Sequence, residues 1–344
     1  MVSIKDVAKM AGVSPTTVSA VVNELDCVKP STRAKVLKVI DELGYIPNIS
    51  ARELVTNKKQ NIGLITTGYE NSFQNNSNNN DKDIFYIDYI NSIAEAIKTT
   101  GYGLLIENFV YKDGSAEIPK IIEQKRVDGA LVVGSLYKKD FIYLLKKEIN
   151  VLVTVGTFSE ITDYVINDYT ESILMAVRYF VKNGHRKIAY VSGDSTTYAC
   201  PLKLKGYKEG LEEAGIEFDS DLLFECKFMS SHGYDVAKKI CELPKDKFPT
   251  AVIFGADILA AGASQYFYEN KIYIPDDLSI LGYENLAISS YINPPLSSVD
   301  WNKNLMSQEA CRLILRRLKN PNKKCDGIVL PCNIVERKSV KNLY

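Results

Sequence analysis

From Asn61 onward the chain alternates short apolar runs with amphipathic stretches, and this alternation limits the fold more tightly than any other feature. IGLITT, GLLIENFV, GALVVGS, VLVTVG, KIAYVSG, AVIFGA and LSILGY read as strands buried on both faces, as in parallel sheets covered by helices. Between them, residues 87–99, 116–124, 171–182, 202–213, 233–241 and 258–270 carry apolar side chains at helical spacing. Such alternation implies doubly wound α/β layers, with ligands held outside the carboxyl ends of the strands. The run from Asn61 to Tyr344 is long enough for two parallel-sheet subdomains facing a cleft. One stretch, ENSFQNNSNNNDKD at 70–83, has no periodicity and reads as a disordered loop or as a lid over the cleft.

The first 47 residues follow a different, all-α pattern. Ser3 caps a first helix, with Asp6 as the carboxylate of a capping box and Ile4, Val7, Ala8 and Ala11 as its apolar stripe. Gly12 breaks that helix. Ser14 caps a second, Pro15 takes its first position, and Val18, Val21 and Val22 form its buried face. Ser31 is expected to cap a third helix from Thr32 to Leu43, with Val36, Leu37, Ile40 and Leu43 inward and Gly44 as its stop. Two short helices joined at a tight glycine turn, followed by a third, match a helix-turn-helix. Residues 48–60 form a linker too short and polar to hold a helix alone in water.

Charge and cysteine usage narrow the class. The 42 Lys+Arg balance the 42 Asp+Glu. The first 60 residues carry nine basic against six acidic side chains, a net of +3, which is a weak sign of a polyanionic partner. MVSIKDVAKM does not look like a signal peptide, and no apolar run approaches the ~20 residues that span a bilayer. The seven cysteines include no CxxC pair, and only His185 and His232 are present. Reduced thiols in a cytoplasmic protein are therefore expected, without metal or cofactor.

The motifs together resemble one family. SIKDVAKMAGVSPTTVSAVVN, VKPSTRAKVLKVIDELGYIPN, ARELV, KRVDGALVVGS, NGHRKIAYVSGD, KLKGY, AVIFGADILAAGA, IPDDLSILGYEN and NPPLSSV occur in the order found in the lactose-repressor (LacI) family of bacterial transcription regulators. The resemblance covers essentially the full length; VKPSTR also resembles the catabolite control protein branch. It implies a helix-turn-helix head at 1–47, a hinge helix at 48–60 and a core at 61–344 like the type I periplasmic sugar-binding proteins. By position, the first subdomain is expected at about 61–158 plus 288–318, and the second at about 159–287 plus 319–344.

Such a head positions itself on phosphates and reads base edges from the start of its second helix. Ser14, Pro15, Thr16, Thr17, Ser19, Ala20 and Asn23 are the candidates there, with Thr17 and Ser19 better suited to phosphates. Many relatives carry arginine at the position of Ala20, a bidentate reader of guanine. Ala20 and Pro15 offer only apolar contact, suited to a thymine methyl; the alternative is that Ala20 packs on its neighbours. Lys29, Arg33, Tyr45, Asn48, Arg52, Lys58 and Lys59 are candidate phosphate or hinge contacts, or else ordinary surface residues. The resemblance assigns Leu54, beside Ala51, as a wedge between base steps of the minor groove.

The resemblance also carries effector-facing positions across: Phe85, Asp168, Lys203, Ala256, Asp257 and Glu284. Lys203 stands where relatives usually have arginine, Ala256 where asparagine is usual, and Glu284 where aspartate is common. A buried lysine needs a partner, so Lys203 is expected to meet Glu284, Asp168 or an anionic ligand. These departures favour an atypical, sugar-like or anionic effector over a plain hexose; control by a protein partner is the alternative. A homodimer is expected, with 258–270 either at its interface or packed within the monomer.

Two other classes compete. An enzyme lacks support: GASQYFYE does not have hydrolase elbow spacing, no GxGxxG follows a strand, and GHRKI places His185 at a structural turn. A solute-binding protein fits the core and not the head.

Overall fold

In a computed structural model the chain is described over residues 2–23, 25–45, 58–68, 81–112, 114–134 and 139–344, with backbone only at 68 and 81–85. It divides into two compact units, Met1–Gln60 and Asn61–Tyr344.

In the first unit, α1 (Ile4–Ala11) opens with the capping box: the Ser3 side chain accepts from the Asp6 N–H, and Asp6 accepts from the Ser3 N–H at 2.9 Å. Gly12, in the left-handed region at φ 64°, ends it. In α2 (Pro15–Val22), Ser14 Oγ accepts from the Thr17 N–H at 3.1 Å. The third helix, α3 (Pro30–Leu43), begins two residues earlier than expected, and Ser31 does not cap it. Pro30 explains the shift, since its fixed φ suits the first helical position and its missing N–H costs nothing there. The register also corrects one inward residue: Leu37 is exposed, while Val39 joins Val7, Ala8, Ala11, Val18, Val21 and Val36 in the core.

The second unit holds two six-stranded sheets. The first has the order β11 (Gly327–Leu330), β5 (Asp163–Asn167), β4 (Leu152–Val155), β3 (Gly129–Val133), β1 (Asn61–Gly68), β2 (Gly103–Val110), all parallel. The second runs β12 (Asn333–Val335), β10 (Ser297–Asp300), β9 (Ser279–Tyr283), β8 (Ala251–Phe254), β6 (Ile188–Ser192), β7 (Leu223–Glu225), with only β12 antiparallel. The central strands β3, β4, β6, β8 and β9 are buried along their whole length, as apolar runs between two helical layers require.

Helices cover both faces. On the first sheet, α4 (Asp81–Ile97) and α11 (Lys303–Lys319) supply Tyr89, Ile93, Met306 and Ile314 to one face; α5 (Lys120–Glu123) and α6 (Lys139–Glu148) supply Ile121, Phe141 and Leu145 to the other. On the second, α7 (Tyr169–Lys182) and α8 (Ala199–Glu213) face α9 (Ser230–Cys241) and α10 (Asp257–Glu269) across the sheet. The helix expected at 87–99 starts at Asp81 and so includes the last residues of the Asn-rich stretch. The helix expected at 116–124 shrinks to Lys120–Glu123 because Pro119 occupies its N-cap.

The chain passes between subdomains at Asp168, at Trp301–Asn302 and at Pro331–Cys332. All three points fall about ten or more residues later than the sequence reading placed them. β5 and β11 pair with each other in the first sheet, and β10 lies in the second, so 163–167 and 327–330 belong with the first subdomain and 297–300 with the second. All three crossings leave the carboxyl ends of β5, β10 and β11, so the carboxyl ends of both sheets meet at one seam.

Candidate functional site

On the head, Ser14, Pro15 and Thr16 are exposed, while Thr17, Ser19, Ala20 and Asn23 are half-buried. The polar atoms at the start of α2 are largely bonded to one another: Ser14 Oγ pairs with Thr17 Oγ1 at 2.9 Å, and Asn23 Nδ2 donates to Ser19 Oγ at 3.3 Å. Lys29 is exposed beside them. Arg33, a candidate phosphate partner, instead donates to the Val21 and Leu25 carbonyls and ties α3 to the end of α2. Tyr45 packs against the head's core. Asn48, Ala51, Arg52 and Leu54 lie outside the described residues.

In the core, Lys203 is placed by a close helix pair. A Cβ on Gly206 would stand 2.1 Å from the Thr170 carbonyl oxygen, so only glycine lets α8 approach α7 this closely. One turn earlier, Lys203 is 5% exposed; its Nζ donates to the Gly255 carbonyl at 3.1 Å and sits 3.3 Å from the centre of the Tyr283 ring. The expected ion pair with Glu284 or Asp168 does not form; a carbonyl dipole and an aromatic face hold the ammonium instead. Burial drives its pKa below the ordinary lysine range, against the opposing influence of Cys200 and Glu284.

Glu284 follows β9 at φ 108°, and Asn285 follows at φ 50°, two consecutive side-chain-bearing residues in the left-handed region. Such backbone costs of order 1–3 kcal/mol per residue and persists where surrounding bonds fix it. Here the Glu284 N–H donates to Val299 O at 2.8 Å and the Asn285 N–H to Ser298 Oγ at 3.0 Å. Lys303 Nζ then donates to the Asn285 carbonyl at 2.8 Å and the Glu284 carbonyl at 3.3 Å while pairing with Asp88 at 3.1 Å. Burial pushes the Glu284 carboxyl up to about 8, with the neighbouring Asp257 adding to the rise.

Asp257 is wholly buried, and its carboxylate accepts from the Leu286 N–H and from Ser289 and Ser298. Those bonds correct its reading as an effector contact: its oxygens are spent on the loops of its own subdomain. Ala256, 1% exposed, is the N-cap residue of α10. Asp168 is exposed, caps α7 through the Glu171 N–H at 2.9 Å, and borders a groove of about 330 Å³ with Met175 and Pro331. The side chain of Phe85 lies outside the described residues.

The seam also gathers residues that sequence reasoning missed. Tyr283 floors Lys203, and Trp301 stands edge-on to Tyr89 at 5.5 Å and tilted against Tyr283 at 6.4 Å, touching both subdomains. The tip of the Phe228 ring comes so close to Gly193, at the carboxyl end of β6, that a Cβ there would fall 1.9 Å from its Cζ. A strand-end glycine with an aromatic in the neighbouring loop was the available signal, but the pairing spans 35 positions of sequence.

Residues 3–48 match the model of bacterial regulatory proteins of the lacI family, and residues 177–340 match a periplasmic binding protein-like domain. The chain is 33% identical over 349 residues to an HTH-type transcriptional repressor PurR of Histophilus somni strain 2336, and 34% identical over 347 residues to its namesake in Mannheimia succiniciproducens, with all of each chain covered. Among solved structures, the lac repressor dimer bound to operator and the anti-inducer ONPF superposes with a TM-score of 0.78 at 24% identity, covering 99% of both chains. A CelR–cellobiose complex gives 0.69 at 24% identity, covering 98% of this chain and 100% of the other.

Proposed function

This chain belongs to the lacI family of bacterial regulatory proteins, and we propose that it is a DNA-binding transcriptional repressor whose grip on a pseudo-palindromic operator responds to a small effector. One observation carries the reading: a helix-turn-helix with an exposed second-helix start shares a chain with a seam holding a buried lysine that, among the described residues, has no ion-pair partner. The working form is a homodimer, which presents two heads to two half-sites. Within one chain Ala260, Gly262, Ala263 and Phe267 of α10 are buried, and Tyr268, 81% exposed, is the large side chain that helix offers a partner.

In this reading Ser14, Pro15, Thr16, Thr17, Ser19, Ala20 and Asn23 face the major groove or its phosphates, and Lys29 and Tyr45 flank them. Asn48, Ala51, Arg52 and Leu54 serve the minor groove. The effector meets Lys203 and Glu284, with Asp168 at the rim; subdomain closure then resets the spacing of the two heads. Catalysis is no part of this reading. His185 is tied by Thr250 Oγ1 at 3.1 Å and the Lys341 carbonyl at 3.0 Å, which occupies both ring nitrogens. Among the described residues no helix is long and apolar enough to cross a membrane, and a cytoplasmic site of action fits a regulator of transcription.

Selection from a random duplex pool tests the proposal. A two-fold symmetric motif should be enriched, and Leu54→Ala should weaken its binding about tenfold, the scale of a lost wedge. Equal retention of all duplexes at moderate salt refutes it.

A further inference from the structure

The start of α2 borders a groove of about 550 Å³ whose far wall is formed by Cys27, Val28 and Thr32. Ala20 is what leaves it open, four residues after Thr16 on the same helical face. The groove mixes methyl and aliphatic surface with hydroxyls. Thr17 spends its hydroxyl on Ser14, so its remaining free group is a methyl, and Val13 and Val28 add aliphatic surface. The planar fork of Arg33 is held by the Val21 and Leu25 carbonyls. Lys29 stands on the rim, and among the described residues no acidic side chain lines the groove.

A surface of this kind asks for a small apolar group presented beside negative charge. The major groove displays one such group, the 5-methyl of thymine, flanked by phosphates that a rim lysine attracts. We infer that this groove is a thymine-methyl pocket, so that Ala20, Thr16 and Val28 specify an A·T pair in each half-site by shape. Among the described residues the groove keeps the Thr16 hydroxyl and the rim Lys29 as donors, while the planar Arg33 fork that would best fit guanine is engaged elsewhere. The inference rests on the proposed DNA-binding function and names the base that function reads.

Each half-site pocket buries about one methyl, which corresponds to roughly fourfold in affinity, or about fifteenfold when both halves are altered together. The experiment uses the full-length protein and the duplex enriched by random selection. Each thymine is replaced in turn by deoxyuridine, which deletes only the methyl. One symmetric pair of positions should show the loss, and Ala20→Arg, by filling the groove, should abolish that sensitivity on the duplex that its own random selection enriches. A flat deoxyuridine scan on a duplex that is otherwise bound specifically overturns the pocket alone. A scan in which Ala20→Arg keeps full methyl sensitivity overturns it too, because the methyl is then read elsewhere. If selection enriches no duplex, the pocket falls together with the function.

Discussion

The side-chain amide of Asn167 donates to the Trp301 carbonyl at 3.0 Å, and the same nitrogen reaches the Leu330 carbonyl at 3.3 Å. Asn167 immediately precedes the first passage between subdomains, Trp301 begins the second and Leu330 precedes the third. One buried amide therefore bolts three crossing segments together at the seam where the effector is proposed to act.

Asn167→Ala should destabilise the protein by about 2 kcal/mol, since two buried bonds are lost while the Leu330 carbonyl keeps the Asp168 N–H as its donor. Asn167→Asp should be at least as damaging at neutral pH because a carboxylate cannot donate to either carbonyl. Urea unfolding of the two variants checks this, and wild-type stability in Asn167→Asp would show that the bolt carries no strain.

The Glu284 carboxyl has a direct pH consequence. Its folded value near 8 lies above the ordinary 4.5, so the folded state binds more protons than the unfolded one between these values. Its contribution is present below about 4.5 and is lost as pH rises through 8. Glu284→Gln, which never ionises, should match wild type at pH 4.5 and exceed it by about 1–2 kcal/mol at pH 8, allowing for partial exposure. Asp257, pushed up to about 6 by burial, leaves a residual slope of the same sign at lower pH in both proteins. Chemical unfolding at several pH values separates the two.

Lys203 is expected to matter more for ligand than for fold. Its ammonium is desolvated without a paired carboxylate, an arrangement that costs stability unless something binds it. Lys203→Met should keep or raise the unfolding free energy, by up to about 1 kcal/mol, while abolishing effector-dependent change in DNA affinity. Parallel loss of fold and response would mean that the Tyr283 contact is structural.

Lys303 links Asp88 of the first subdomain to the strained loop at Glu284 and Asn285 in the second. Double-mutant cycles on Asp88→Asn and Lys303→Met should give a coupling of about 1 kcal/mol, above a typical exposed pair because both partners are largely buried. Both residues lie in the first subdomain, so the coupling should change when effector is added through the bonds of Lys303 to the Glu284 and Asn285 carbonyls of the second, which closure loosens or tightens. A ligand-independent coupling would confine Lys303 to a static role.

Gly206→Ala should destabilise by about 1–3 kcal/mol, because the new methyl meets backbone oxygen that cannot swing aside. The same change pushes α8 from α7 and with it Lys203, so effector response should fall even where the protein remains folded. Thermal unfolding alongside ligand titration distinguishes the two losses.

Much of this molecule was legible because it is written in local pattern. Capping at Ser3 and Ser14, the glycine stops at Gly12 and Gly44, and apolar runs in alternation with helical stripes each need only neighbours along the chain, and they gave the head and the layered core. The tertiary structure decided what depends on partners far apart in sequence. Which sheet receives β5, β10 and β11 turns on free edges that no short window reveals, and so the crossings fell later than position alone indicated. Asp257 and Lys203 carry the residue types of ligand contacts, yet the fold spent the first on Ser289 and Ser298 and gave the second a ring and a carbonyl. Sequence set which groups could be charged or apolar; packing in three dimensions set how each was satisfied, because burial and through-space distance are properties of the assembled chain.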